Sequence, residues 1–240
     1  MAKGLFIPHI KNPSAGYFTA AVAILGTTIT PYLFFWEAKE ALEENKTKPT
    51  ALREASHEDI INTPGFVISQ IITLFIMIAT GATLYQSGTG IQTAADAAKA
   101  LVPLAGNLAS ALFAVGIIGA GLLALPVLSI CTAEVVAETA GFRHHDLDNK
   151  PKSAKGFYAV ITLSLVAGLA IIFTGVQPLQ ALYYSQILAG LLAPPLLALI
   201  LILANQKSVM GDMVNKKFDN IFGAAALVIM ISVAILMFIG

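Results

Sequence analysis

The chain has 240 residues, 57% of them apolar without counting glycine and only 12% charged, where soluble domains hold roughly 45–50% apolar residues with glycine included and about 25% charged. A water-soluble fold cannot bury that much apolar surface, so the composition excludes an ordinary soluble domain. With 14 basic and 14 acidic residues the formal net charge is zero, and no basic run interleaved with aromatics points to nucleic acid as a partner.

No charged residue falls within 17–36, 66–85, 108–133, 157–176, 182–203 or 221–239. Each window is long enough, at about 1.5 Å per helical residue, to cross a hydrocarbon core of about 30 Å. Barrel strands would be shorter and alternate in polarity. The expected fold is therefore all-α and integral to the membrane, with six transmembrane helices forming a single transmembrane domain over residues 1–240. If the spans alternate in direction, one set of loops collects Lys39, Lys46, Lys48, Arg53, Arg143, Lys150, Lys152, Lys155, Lys207, Lys216 and Lys217, and the other only Lys3, Lys11 and Lys99. The positive-inside rule then places both termini outside the cytoplasm of a multi-pass cell-membrane protein.

Met1-Ala2-Lys3-Gly4 leads into a short apolar stretch broken by Pro8, without the long apolar region of a secretory signal, so the first span is expected to serve as its own insertion signal. That span contains Leu25-Gly26-Thr27-Thr28-Ile29-Thr30-Pro31-Tyr32. Pro31 has no N–H to donate back to Thr27 and Gly26 lowers the cost of irregular torsions, which predicts a kink or an unwound turn. Carbonyls freed in hydrocarbon are costly unless they face protein or a water-filled cavity, and interrupted helices in transporters cluster at substrate sites. The turn can thus coordinate a cation, or it can be a proline kink satisfied by threonine hydroxyls.

Residues 37–63 form a cytoplasmic loop that starts as a helix through Glu37, Glu40, Glu43 and Glu44 and stops at Lys48-Pro49. His57-Glu58-Asp59 reads as loop. Between the second and third spans, Tyr85–Asn107 is expected to hold a short surface helix around Thr93–Leu101 on the external side. The third span carries Gly116, Ala120 and Ala124 at four-residue intervals, a stripe for close helix packing. The single cysteine, Cys131, excludes an intrachain disulfide and reads as a small packing residue. Glu134 and Glu138 lie one turn apart at the end of that span, and Glu37 closes the first; they can guide cations inward or serve as helix-end charges.

Arg143-His144-His145-Asp146-Leu147-Asp148 holds zinc-compatible side chains. Adjacent histidines diverge, however, and no second cluster completes a tetrahedral site, so a polar turn is the expected reading. Gln186 lies within the fifth span as a possible carbonyl ligand or interhelical glue, and Pro194-Pro195 is expected to interrupt and bend that span. No HExxH, GxSxG or Walker pattern occurs. Neither an enzyme nor a cofactor is therefore expected.

Gly26-Thr27-Thr28-Ile29-Thr30-Pro31-Tyr32-Leu33-Phe34-Phe35-Trp36-Glu37-Ala38 closely resembles the sixth helix of Nramp-related magnesium transporters. Leu112-Phe113-Ala114-Val115-Gly116-Ile117-Ile118-Gly119-Ala120-Gly121-Leu122-Leu123-Ala124-Leu125-Pro126-Val127-Leu128 is similar to the family's eighth helix, and Gly4-Leu5-Phe6-Ile7-Pro8-His9 to the loop leading into the sixth. The resemblance implies that the chain covers the sixth to eleventh helices, the second inverted repeat plus one helix of a LeuT-type fold. In that fold the cation sits between the interrupted first and sixth helices.

The acidic first-helix motif that supplies the family's principal ligand has no counterpart here. The chain is then a fragment, a partner to a separately encoded first half, or one of two assembling copies. Nramp sixth helices have Ala-x-x-Met-Pro-His where this chain has Thr27-Thr28-Ile29-Thr30-Pro31-Tyr32. Hydroxyl and carbonyl oxygens in place of a thioether suit Mg²⁺ and Mn²⁺ over softer metals.

Taken with the resemblance, the residues imply secondary transport of a divalent cation, Mg²⁺ and/or Mn²⁺. Thr27, Thr28 and Thr30 are the ion ligands, with Gly26, Pro31, Glu37, Glu134 and Gln186 as auxiliaries. Gln186 matches a polar glutamine of the family's tenth helix. The alternative is a non-transporting membrane subunit or truncated remnant that only packs with a partner.

Overall fold

A computed structural model describes residues 15–31, 33–34, 63–81, 91, 93–102, 106–142, 154–211 and 214–239. Among the described residues there is no β-strand; a helix satisfies its backbone polar groups within its own segment, as hydrocarbon requires. Helix α1 covers Ala15–Ile29, α2 Thr63–Gly81, α3 Ala94–Ala100, α4 Ala109–Thr139 and α5 Lys155–Phe173. They are followed by α6 at Pro178–Ala204, α7 at Lys207–Met210 and α8 at Lys217–Ile239. Five of them, α2, α4, α5, α6 and α8, are long and apolar enough to cross a membrane, and they fall on the second to sixth charge-free windows. Helix α1 has 15 residues, about 22 Å at the usual rise, which is too short to span alone. Helical backbone resumes at Pro31, so the first window is split where the sequence predicts.

The chain divides into two compact units, one of Ala38–Gln180 and one of Met1–Glu37 with Ala181–Gly240. In the first, α4 packs along α5 through Ala133 and Ala137, which meet Ala154 and Phe157 in a buried core flanked by Ile130, Phe142 and Ile161. The spacing 130, 133, 137 is one helical face. At 31 residues, about 46 Å long, α4 outruns a hydrocarbon core and carries this contact beyond its apolar run. It ends in a Schellman turn: Phe142 N–H donates to the Ala137 carbonyl at 2.8 Å and Gly141 N–H to that of Glu138 at 3.1 Å, with Gly141 at φ +69°. The turn lays the Phe142 ring over Gly156, where a Cβ would come within 2.7 Å of it.

Helix α3 is the expected surface helix. Its N-terminus is closed by a reciprocal capping box in which Thr93 Oγ1 accepts from Asp96 N–H at 3.2 Å and the Asp96 carboxylate accepts from Thr93 N–H at 3.0 Å. It lies against α4, and Gly116 and Ala120 line an open apolar groove there with Leu101, Leu112 and Phe113. The small-residue stripe therefore faces open space within this unit rather than a neighbouring helix. Cys131 is buried, in keeping with a packing role.

In the second unit α1 packs on α8, and Phe18, Val22 and Ala23 of α1 are buried. Helix α6 runs unbroken through Pro194 and Pro195, which corrects the expected interruption. Each proline removes one i→i−4 bond, and the turn before them holds Gly190 and Ala193, both buried, so small residues leave the helix room to continue. From Ala204 the chain turns through α7, closed by Gly211 at φ +61°, into α8.

Candidate functional site: the break in the first span

The last turn of α1 closes with Thr30 N–H donating to the Gly26 carbonyl at 3.1 Å, and a new turn opens with Leu33 N–H donating to the Thr30 carbonyl at 2.9 Å. Between the two, Thr30 takes φ +43°, a left-handed conformation found at no other non-glycine residue among those described. A β-branched side chain at such a torsion costs about 1–3 kcal/mol and persists only where the surroundings impose it. Pro31, buried and without an N–H, begins the new helical segment, as proline favours the first helical position. The Thr27 carbonyl consequently has no donor at the i+4 position.

The threonine hydroxyls do not fill that gap. Thr27 Oγ1 donates to the Ala23 carbonyl at 3.0 Å and Thr28 Oγ1 to the Ile24 carbonyl at 2.8 Å, both one turn back and both already inside the helix. The reading of a proline kink healed by hydroxyls therefore fails for Thr27 and Thr28. The Thr27 carbonyl lies in the last turn of α1, where the helix dipole is negative. Thr27 and Thr28 are exposed and Thr30 half-buried.

Helix α6 touches α1 one turn before the break. Gly26 is buried, and a Cβ there would collide with the Gln186 carbonyl oxygen and come within 2.5 Å of Gly190 N. Reciprocally, a Cβ on Gly190 would collide with the Val22 carbonyl oxygen. The two backbones thus touch directly, with glycine on both sides, the close approach that small residues permit between membrane helices.

Of the expected site residues, Gly26, Thr27, Thr28, Thr30 and Pro31 lie together at the break, and the backbone of Gln186 meets Gly26. Glu37 and Tyr32 lie outside the described residues, as do the polar turn at 143–148 and His57-Glu58-Asp59. Glu134 belongs to the other unit and is buried on α4, whereas Glu138, one turn on, is exposed. The two carboxylates do not share an environment. Among the described residues no group of three His, Cys, Asp or Glu side chains gathers as a metal site. Sequence reasoning missed Gly190, whose one signal is its place four residues from both Gln186 and Pro194.

These features define a multi-pass, all-α membrane protein whose first span is broken at a threonine–proline pair and clasped by a later helix. The chain belongs to the Nramp family, described as natural resistance-associated macrophage protein-like, whose model matches residues 1–240. It is 25% identical over 235 residues to the divalent metal cation transporter MntH of Clostridium acetobutylicum, covering 96% of this chain and 51% of that protein. It is 27% identical to the MntH of Yersinia enterocolitica, covering 96% and 53%, and 25% identical to that of Deinococcus radiodurans, covering 95% and 50%. The chain spans about half the length of the relatives it matches.

Proposed function

We propose that this chain carries divalent cations, Mg²⁺ and/or Mn²⁺, across the cell membrane as the C-terminal half of an Nramp-like secondary transporter. The observation that carries the reading is the break at Thr30-Pro31, which leaves the Thr27 carbonyl without an i+4 donor while the Thr27 and Thr28 hydroxyls donate one turn back. Oxygen acceptors near the negative end of a half-helix suit a hard cation that keeps part of its water. The names of the relatives, all divalent metal cation transporters, support the substrate class. Thr27, Thr28 and Thr30 supply the ligands, Gly26 and Pro31 shape the turn, and the Gln186 segment closes one side. The proposed partner is a first-repeat half or another copy of this chain. The second reading is a membrane subunit or truncated remnant that packs with such a partner and transports nothing alone. The charge bias of the loops supports both termini lying outside the cytoplasm.

The test is Mg²⁺ and Mn²⁺ uptake into liposomes holding the purified chain, alone and with a family first half, against the variant Thr27→Ala/Thr28→Ala/Thr30→Ala. Uptake that falls at least tenfold in the variant supports the transporter. Silence in both preparations leaves the packing subunit as the better reading.

A further inference from the structure

Helix α2 is long and apolar enough to cross a membrane, yet none of its residues is buried. Its two sides differ. At about 100° per residue, every polar side chain and both glycines of α2 fall within one arc of about 160°, which runs from Gly65 through Ser69, Thr80 and Thr73 to Gln70, interleaved with Ile76, Phe66 and Met77. The opposite arc holds only apolar side chains, Ile68, Ile71, Phe75 and Ile78 among them. Lipid tails give a polar side chain nothing to bond, so a helix with hydrocarbon on all sides gains nothing from such a face.

Two of the hydroxyls on that face are already used. Thr73 Oγ1 donates to the Ser69 carbonyl at 2.9 Å and Thr80 Oγ1 to the Ile76 carbonyl at 2.8 Å. Gln70 is different: it is exposed, stands about 10 Å from the start of the span, and its amide has no hydrogen-bond partner among the described residues. A carboxamide left unpaired at that depth is costly. The chain itself shows how two carboxamides satisfy each other. Asn205 Nδ2 donates to Asn220 Oδ1 at 2.7 Å, and Asn220 Nδ2 donates back to Asn205 Oδ1 at 2.7 Å. Because each group is both donor and acceptor, a carboxamide is complementary to a copy of itself. A two-fold axis along the membrane normal brings Gln70 of two copies together at one depth, an isologous contact. Gly65, Ser69 and Thr73, at four-residue intervals, permit the close backbone approach this needs, and a Cβ on Gly65 would meet nothing within 4 Å.

We infer that the small and polar face of α2 is the contact through which two copies of this chain associate in the membrane, with reciprocal Gln70 amides at its centre. The inference deepens the reading in which another copy is the partner, and it names the surface. The apolar arc through Ile71 and Phe75 is left to the lipid.

Sedimentation equilibrium of the purified full chain in mild detergent, over a series of protein-to-detergent ratios, tests this without reference to transport. A chain that fails to associate can still carry cations beside a first half, and a chain that carries none can still associate, so the two readings fail separately. The unsubstituted chain is expected to show a monomer–dimer equilibrium. Gln70→Leu raises the dissociation constant about tenfold, the worth of two amide hydrogen bonds between membrane helices, Ser69→Leu raises it at least as much, and Phe75→Leu on the opposite arc leaves it unchanged. Gln70→Leu puts an apolar side chain on an apolar span and so favours insertion. In liposomes, with Cys131→Ser as background, Ser69→Cys forms a disulfide between copies under mild oxidation and Phe75→Cys does not, because bridged Cα atoms must lie within about 7 Å. A chain that stays monomeric at every ratio overturns the inference. So does a dimer that Gln70→Leu weakens no more than Phe75→Leu, or one that cross-links through Phe75→Cys and not through Ser69→Cys.

Discussion

Replacing Gly26 by alanine isolates what the crossing of α1 and α6 costs and contributes. In an open helix the substitution stabilises by up to about 1 kcal/mol through backbone propensity. At Gly26 the new methyl meets the Gln186 carbonyl oxygen and the Gly190 backbone. Neither is the movable tip of a side chain, so the helices must separate by roughly 1 Å to restore ordinary contact, loosening the packing around Val22 and Ala23. Overpacking of this kind costs about 1–3 kcal/mol, and the net expectation is a loss of up to about 2 kcal/mol, a factor of up to roughly thirty in the folding equilibrium. Gly116→Ala is the internal control, because a Cβ there meets nothing within 4 Å and should be neutral or stabilising. Both are measured by titrating the purified chain from mild detergent into a denaturing one and following helical circular dichroism. If the two substitutions shift the midpoint equally, the backbone contact between α1 and α6 does not exist as described.

Thr30→Gly releases the left-handed torsion and is expected to stabilise the chain by about 1 kcal/mol while reducing Mn²⁺ uptake in liposomes as far as Thr30→Ala does. A gain in stability with unchanged uptake would remove Thr30 from the ligand set. Phe157→Ala, at a fully buried position, is expected to cost about 3–5 kcal/mol, read as early labelling of buried Cys131 by a thiol-reactive dye on heating. Asn220→Ala removes three amide hydrogen bonds and should cost about 1–3 kcal/mol, visible as faster proteolysis of the loop at 205–216.

The transmembrane segments were legible because a charge in hydrocarbon is expensive, so its absence marks a span from either end. The break was legible for an equally local reason: proline lacks a donor wherever it stands, and Pro31 follows a glycine and three threonines. The short helix near Thr93–Leu101 was expected, whereas the Thr93–Asp96 capping box that closes it was not read. What stayed hidden depends on partners remote in sequence. Gly190 is one glycine in an apolar run until α1 crosses it, and Asn205 and Asn220 become a pair only once α6 and α8 lie side by side. Nor could the spacing of Glu134 and Glu138 tell which would be buried, because that depends on where α5 comes to rest. Pro194-Pro195 misled because a proline pair breaks an isolated helix, whereas a membrane helix with small residues in the preceding turn absorbs it.

The direction of two hydroxyl protons sets the character of the broken span. Thr27 and Thr28 point their protons inward, along the helix, to Ala23 and Ile24, so each oxygen presents only lone pairs to whatever approaches. The Thr27 carbonyl has no i+4 N–H donor because Pro31 stands there, and none of these three oxygens has a free proton to offer a chloride or a phosphate. In the proposed site, selection by the sign of charge would thus precede ionic radius or ligand softness, and an alanine at either position would remove a share of it without disturbing a backbone hydrogen bond of the helix.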